Sequence, residues 1–233
     1  MSDPQPYHIS FIRKIIRQIV KHLFLPVMYL LFDIDVIGKE NVPPRGEPYL
    51  IAFNHVSLIE PPILLAFWPY LPEAVAGHIV WERGAQGWLM MLYGAIPVKR
   101  GEFDREVLQT IEAVLHAGLP LAIAPEGGRS HHAGMMRAKA GIAYVMNHVD
   151  VPVIPVGFEG TLPEALRRAV RGHRGHITMR IGEAFRLPPI TGSGQARRAS
   201  RQANADFVMR KIADLLPPEY HGVYAEDAPE SLS

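Results

Sequence analysis

With 233 residues, 48% of them apolar, the chain is long enough for one good hydrophobic core and is not composed like a disordered one. A formal net charge of +1 excludes a general electrostatic grip on nucleic acid, so any basic effect must be local. Cysteine is absent, which excludes disulfides, thiolate metal sites and a cysteine nucleophile.

The first predicted element is the N-terminal stretch HISFIRKIIRQIVKHLFLPVMYLLF. Ile9, Ile12, Ile16, Ile19 and Leu23 recur at helical spacing, while Arg13, Lys14, Arg17 and Lys21 mark another side. An apolar run then extends from Leu23 to Phe32, interrupted in character only by Pro26. Ten residues are too few to cross a bilayer as a helix, which takes about 20. No small-residue cleavage site follows, only DIDV, which argues against a secretory signal. A helix packed on the domain's own core would show the same period. The basic flank and the apolar run favour an amphipathic helix lying in a membrane interface.

Beyond residue 36, short apolar runs read as strands: YLIAFN, AVAGHIVW, GAIPVKR, PLAIAPE, VPVIPVGFE and HITMRIGEAF. Helical patterns separate several of them. The clearest covers 104–117, with Asp104 as N-cap and Val107, Leu108, Ile111, Val114 and Leu115 on one face. Gly118 ends it and a strand follows, a succession typical of α/β layering. AGIAYVMNHV predicts a second helix starting near Lys139. Phe207, Val208, Ile212, Leu215 and Leu216 predict a third, stopped by Pro217 and Pro218. ITGSGQARR reads as a linker, and the last dozen or so residues are expected to be loose. The predicted organisation is an arm (1–36), one α/β domain (37–190) and a linker, C-terminal helix and tail (191–233).

Phe53–Pro62, FNHVSLIEPP, places polar groups directly behind an apolar strand. Ser57 and Glu60 have capping-box spacing, but a helix capped at Ser57 would put Pro61 at its fourth position, where an amide proton is needed. Pro61 or Pro62 fits better as the first helical residue, leaving Glu60 just outside the helix and 54–60 as a turn. Such a turn can bring His55 and Glu60 together. A carboxylate on one ring nitrogen fixes the tautomer and stabilises the imidazolium, leaving the other nitrogen to take a proton from a hydroxyl. A lone His-x4-Glu pair is weak evidence by itself.

A second constellation lies in LAIAPEGGRSHHAGMMRAKAGIA. An apolar strand runs into Glu126, Gly127, Gly128, Arg129 and Ser130, followed by a loop and Lys139. Adjacent glycines permit close backbone approach and a guanidinium binds phosphate bidentately, so this is a moderate signal for an anion site. A tight turn with a solvated arginine is the plainer reading.

At these two places together the chain resembles the lysophosphatidic acid acyltransferase family, the glycerolipid acyltransferases of the bacterial 1-acylglycerol-3-phosphate type. The resemblance runs from about Tyr49 to Phe158 in four ordered blocks. NHVSLIE is similar to the first, Asn-His followed by a carboxylate. GAIPVKRG resembles the second, which ends in a basic residue, here Arg100. APEGGRS resembles the third, and VPVIPVGFEG the fourth, built around Pro155. Two departures stand out. Glu60 replaces the usual aspartate, so its carboxylate must fold back by one methylene, and Gly128 replaces the usual threonine and lacks its hydroxyl.

The resemblance implies a mixed, mostly parallel sheet flanked by helices, with a membrane-binding helical arm. It implies transfer of a fatty acyl group from acyl-CoA or acyl-carrier protein to a lysophospholipid hydroxyl, at the cytoplasmic face of a membrane. His55 would be the base and Glu60 its orienting partner. Glu126, Gly127, Gly128 and Arg129 would hold the acceptor, with Glu126 bonding a hydroxyl or organising Arg129. Arg100 and Lys139 would be further phosphate contacts. The chemistry calls for no cofactor and no metal, the thioester being a substrate. His131, His132, His173 and His176 carry no ligand spacing and read as exposed. Arg167, Arg168, Arg171 and Arg174 read either as a solvated face or as contacts for lipid headgroups or donor phosphates. A serine hydrolase using Ser57 or Ser130 lacks the Gly-x-Ser-x-Gly elbow. A non-catalytic lipid binder is a further alternative.

Overall fold

The computed structural model describes residues 7–98 and 105–225. The expected N-cap Asp104 lies outside them. Seven strands form one sheet: β1 (Phe32–Ile37), β2 (Leu50–Phe53), β3 (Glu73–Gly77), β4 (Ile96–Val98), β5 (Leu121–Ile123), β6 (Val153–Glu159) and β7 (Gly175–Ile181). Their order is β1-β7-β6-β2-β5-β3-β4, and every ladder is parallel except β6 with β7. Strands β2 to β6 therefore end on one edge of the sheet, the edge at which β1 and β7 begin. This is the mixed, mostly parallel sheet that the family resemblance implied.

Side chains alternate between the two faces of each strand. Leu50 and Ala52 join one core with α4 (Arg105–His116), α5 (Gly141–His148) and α7 (Gly194–Ala213). Ile51 and Phe53 join the other with α1 (Phe11–Leu31), α2 (Glu60–Phe67) and α6 (Ala165–Ala169). Burial on both faces explains the unbroken apolar run of β2. On β6, a Cβ at Gly157 would lie 2.9 Å from the Leu216 side chain, so glycine permits the C-terminal segment to close on the sheet.

Three expectations need correction. AVAGHIVW is a strand only to Gly77; His78–Glu82 turn into a 3-10 helix, and α3 (Gly84–Tyr93) follows. The predicted linker is helical from Gly194, where α7 starts, and that helix buries Ala205, Val208, Met209 and Ile212 in the core, while the expected loose tail lies mostly outside the described residues. Residues 217–225 then strap the 133–139 loop. Met135 N–H donates to the Tyr220 carbonyl (3.0 Å), and Val223 N–H donates to that of Met135 (3.2 Å). The Tyr224 hydroxyl accepts from Ala138 N–H at 2.7 Å and donates to Asp206. A boundary at 190 therefore divides one packed core. A boundary at 36 likewise cuts β1, which the sequence reading missed and which pairs along its length with β7.

The arm is one helix, α1, running through Pro26, and no helix among the described residues is long and apolar enough to cross a membrane. Its burial inverts the ordinary pattern. Ile12, Ile15, Ile19, Leu23, Val27 and Leu30 form an exposed stripe, while Arg17, expected on the polar side, is 2% exposed. Arg17 pairs through two guanidinium nitrogens with the buried carboxylate of Glu73, which opens β3. Its Nε donates to the Tyr93 carbonyl at 2.7 Å, and Tyr7 donates to Glu73 at 2.7 Å. Lys21 bonds the Trp68 carbonyl at the end of α2 (2.5 Å). A buried carboxylate needs a paired cation, so Arg17 turns inward, with Lys21 half-buried beside it, while Arg13 and Lys14 stay exposed. At the other end of α1, Arg174 donates to the carbonyls of Tyr29 (2.8 Å) and Phe32 (3.0 Å).

Candidate active site

The turn after β2 carries His55 and the turn after β5 carries Glu126, both on the edge where the parallel strands end. Open α/β sheets gather reactive groups at such an edge. Asn54 first pins the turn: its amide donates to the Phe158 carbonyl (3.0 Å) and accepts from Phe158 N–H (2.7 Å), so the side chain extends the sheet toward β6.

His55 Nδ1 lies 3.1 Å from Glu60 Oε2. Glu60 is fully buried and the His55 side chain is 18% exposed, so the dyad is sealed behind and open in front. Glu60 is the first residue of α2, one position inside the helix, contrary to the expectation that it stands outside. Its carboxylate folds back to accept Ser57 N–H at 2.9 and 3.1 Å and Val56 N–H at 3.3 Å. One half of a capping box thus forms. The Ser57 hydroxyl accepts from Ile59 N–H instead (3.3 Å). Pro61 and Pro62 fall among the first helical positions, whose amide protons would have no partner within the helix.

The extra methylene of glutamate is absorbed by this fold-back, and the ring contact is made. With Nδ1–H donated to the carboxylate, Nε2 is left as the basic nitrogen, the arrangement a proton acceptor requires. Neither serine engages the imidazole: Ser57 serves Ile59, and the Ser130 hydroxyl donates to the His132 carbonyl at 2.6 Å.

Glu126 takes a place the sequence did not reveal. It is 2% exposed; Oε1 accepts His55 N–H at 2.8 Å and Oε2 accepts Met136 N–H at 2.8 Å. Its carboxylate faces the protein and ties the histidine's backbone to the 133–139 loop. Burial pushes its pKa up to about 7, and the nearby Glu60 charge adds to this, against the two backbone N–H bonds that favour the anion. Two more bonds lace the turns: Ser130 N–H to the His55 carbonyl (2.9 Å) and His131 N–H to that of Val56 (3.2 Å).

Gly127 has φ +69°, the left-handed region that favours glycine, and a Cβ there would stand 3.1 Å from Lys139 Cγ. Lys139 therefore crosses the Glu126 turn, fixed by its N–H to the Pro125 carbonyl (2.8 Å), with its side chain exposed. Gly128 and Arg129 are partly buried on the same turn. Arg100 lies outside the described residues. His55, Glu60, Glu126, Gly127 and Lys139 are thus brought together through direct contacts, with Gly128 and Arg129 carried on the same turn. Of the other histidines, His176 lies across from Asp33 (3.4 Å) and Asp35 (3.6 Å) on the exposed β1–β7 face.

The acyltransferase family model matches residues 33–159. A 1-acyl-sn-glycerol-3-phosphate acyltransferase of Chlamydomonas reinhardtii is 29% identical over 205 residues, covering 85% of this chain and 58% of that protein. The human 1-acyl-sn-glycerol-3-phosphate acyltransferase alpha is 24% identical over 185 residues, covering 76% and 62%. The chain thus spans about three fifths of the length of these relatives. The crystal structure of the 1-acyl-sn-glycerophosphate acyltransferase PlsC from Thermotoga maritima shares the fold, with TM-score 0.57 and 22% identity over 85% of this chain and 78% of that one. The family match covers more than half of the sequence and contains both the His55–Glu60 and the Glu126–Arg129 blocks: the chain belongs to the acyltransferase family, and its named relatives are 1-acylglycerol-3-phosphate acyltransferases.

Proposed function

We propose that the protein is an O-acyltransferase that moves a fatty acyl group from an acyl-CoA or acyl-carrier-protein thioester to a lysophospholipid hydroxyl, with 1-acylglycerol-3-phosphate as the leading acceptor. The observation that carries this reading is the 3.1 Å contact between His55 Nδ1 and the buried Glu60 carboxylate, within the matched family region. His55 Nε2 takes the proton of the acceptor hydroxyl as its oxygen attacks the thioester carbonyl carbon. The new C–O ester bond forms, the C–S bond breaks, and the imidazolium returns the proton to the departing thiolate. Glu60 holds the tautomer and stabilises the imidazolium. Such base help contributes roughly 10²–10⁴ in rate. The thioester is already activated, so no acyl-enzyme is needed.

Arg129 and Lys139 supply cationic contacts for the acceptor phosphate, over a turn that Gly127 and Gly128 keep open; Arg100 is a further such contact by resemblance. Glu126 acts through His55, holding its backbone. Gly128, where relatives of this type usually carry threonine, favours a second acceptor reading: a lysolipid or glycolipid with another head group. The test is to incubate the full chain with acyl-CoA and a panel of lyso-acceptors, following free thiol and acylated lipid. Acceptor-dependent thiol release supports transfer and names the acceptor. Free fatty acid without acceptor dependence would indicate a hydrolase, and no thiol release a lipid binder.

A phospholipid surface at the cytoplasmic face of a membrane is the proposed working site, supported by the exposed apolar stripe of α1. Deleting α1 is a poor test, because it strands the buried Glu73 without its guanidinium. Ile19→Glu with Leu23→Glu alters only outward positions. This double variant should leave vesicles while keeping its fold by circular dichroism; unchanged sedimentation with vesicles would refute the anchor.

A further inference from the structure

The tip between β6 and β7, comprising α6 and residues 170–174, is strongly basic. Within 164–174 the only carboxylate is Glu164, against Arg167, Arg168, Arg171 and Arg174. Arg174 is engaged at the end of α1, but among the described residues no ion pair involves Arg167, Arg168 or Arg171. All three are exposed, and between them stands Val170, 66% exposed.

The position of this tip matters more than its charge. Ala169 and the partly buried Ala165 and Leu166 pack on the same face of the sheet as Met28, Phe24 and Leu31 of α1. The outer sides of α6 and α1 therefore lie on one side of the molecule. Because β7 runs against β6, the tip also sits on the edge where the parallel strands end, the edge that carries His55. α1 begins near the opposite edge, where Arg17 meets Glu73 at the start of β3, and ends beside the tip, where Tyr29 and Leu30 are exposed.

We propose that Arg167, Arg168 and Arg171, with Val170 among them, form an anionic-lipid contact that continues the apolar stripe of α1 and brings the His55 edge to the headgroup layer. This rests on the reading of α1 as the membrane-facing element. Two features select a lipid surface over the phosphates of a soluble donor. An exposed valine among guanidiniums gains from entering an interface and gains nothing from a nucleotide. The tip is also continuous with the apolar stripe, whose burial needs a surface rather than a small molecule. Arginines near an anionic leaflet each contribute about fivefold in binding.

The experiment compares sedimentation of the full chain with vesicles of phosphatidylcholine alone and of phosphatidylcholine mixed with phosphatidylglycerol. The variant is Arg167→Gln/Arg168→Gln/Arg171→Gln, with Arg174 left intact. The control removes the same charge from the opposite face of the sheet, as Arg197→Gln/Arg198→Gln/Arg210→Gln on α7. The proposal expects the wild type to favour anionic vesicles, the tip variant to lose that preference by on the order of tenfold to a hundredfold, and the control to retain it. Binding to neutral vesicles should persist in the tip variant and be lost in Ile19→Glu/Leu23→Glu.

Equal wild-type binding to both vesicle types would overturn the lipid contact while leaving the α1 anchor standing. Absence of wild-type binding to either would overturn the anchor and the contact with it. Equal loss in tip and control variants would reduce the effect to net charge and overturn the site. An unchanged vesicle preference with a raised KM for acyl-CoA below its micellar concentration would reassign the arginines to the donor.

Discussion

The two edges of the sheet bury carboxylates in different ways. Where β3 begins, Glu73 faces the guanidinium of Arg17, a permanent cation, with Tyr7 and the Tyr93 carbonyl completing the shell. Where β2 and β5 end, Glu60 is held by an imidazole and two backbone N–H groups, and Glu126 by backbone N–H groups alone. The first arrangement is a fixed latch, because its cation is a guanidinium, which does not give up its proton in proteins. In the second the partners are an imidazole and peptide dipoles, so no guanidinium locks either carboxylate. Equal burial thus serves fastening at one edge and, in the proposed mechanism, chemistry at the other.

The largest expected effect lies at the second edge. His55→Ala should lower kcat/KM by roughly 10²–10⁴ or more, with the fold unchanged by circular dichroism, and Glu60→Gln should fall part of the way. Near-normal turnover in Glu60→Gln would remove the carboxylate from the chemistry. The latch should respond in stability instead. Arg17→Ala leaves Glu73 buried without its cation and should cost about 3–5 kcal/mol in urea unfolding, whereas Arg17→Met with Glu73→Leu should recover much of it. If the double substitution is as damaging as the single one, the pair does more than neutralise itself.

Glu126 sharpens the contrast through pH. Its folded pKa, about 7, lies above the value of 4.5 expected without burial, so the native state binds the proton more tightly. Its contribution is therefore present below pH 4.5 and is lost as pH rises toward 7, by up to roughly 3 kcal/mol across that window. Glu126→Gln removes the ionisation, and its melting temperature should fall less than that of the wild type between pH 4.5 and 7. Parallel curves would show that the group does not titrate there. The smallest effect belongs to Arg174→Ala, which frees two carbonyls at the exposed end of α1 and should cost about 0.3–1 kcal/mol, read by thermal denaturation.

The sequence made the central strands legible, because β2, β5 and β6 are apolar runs that a doubly covered sheet requires. It also made the His55–Glu60 contact legible despite the longer acid, since a turn capped by two prolines leaves few ways to close. Arg17 was not legible: helical period assigns it to a solvated side, and its partner, Glu73, stands 56 residues away. Glu126 escaped for a different reason. Its partners are backbone N–H groups, which leave no mark in a side-chain pattern. β1 was hidden because it follows α1 with no break and is held by β7, more than a hundred residues later. The start of α7 reads as a linker because glycine, serine and arginine outnumber apolar residues there, although its later turns fill the core.

The strap formed by residues 217–225 reaches His55 through a short relay: Tyr220 and Val223 fasten Met135, the next residue's N–H bonds Glu126, and Glu126 bonds the histidine's amide. During synthesis, His55 and Glu60 emerge well over a hundred residues before the strap, and the loop behind them gains its fasteners only when residues near 220 leave the ribosome. A growing polypeptide therefore holds the imidazole long before it holds the frame that keeps the ring in place.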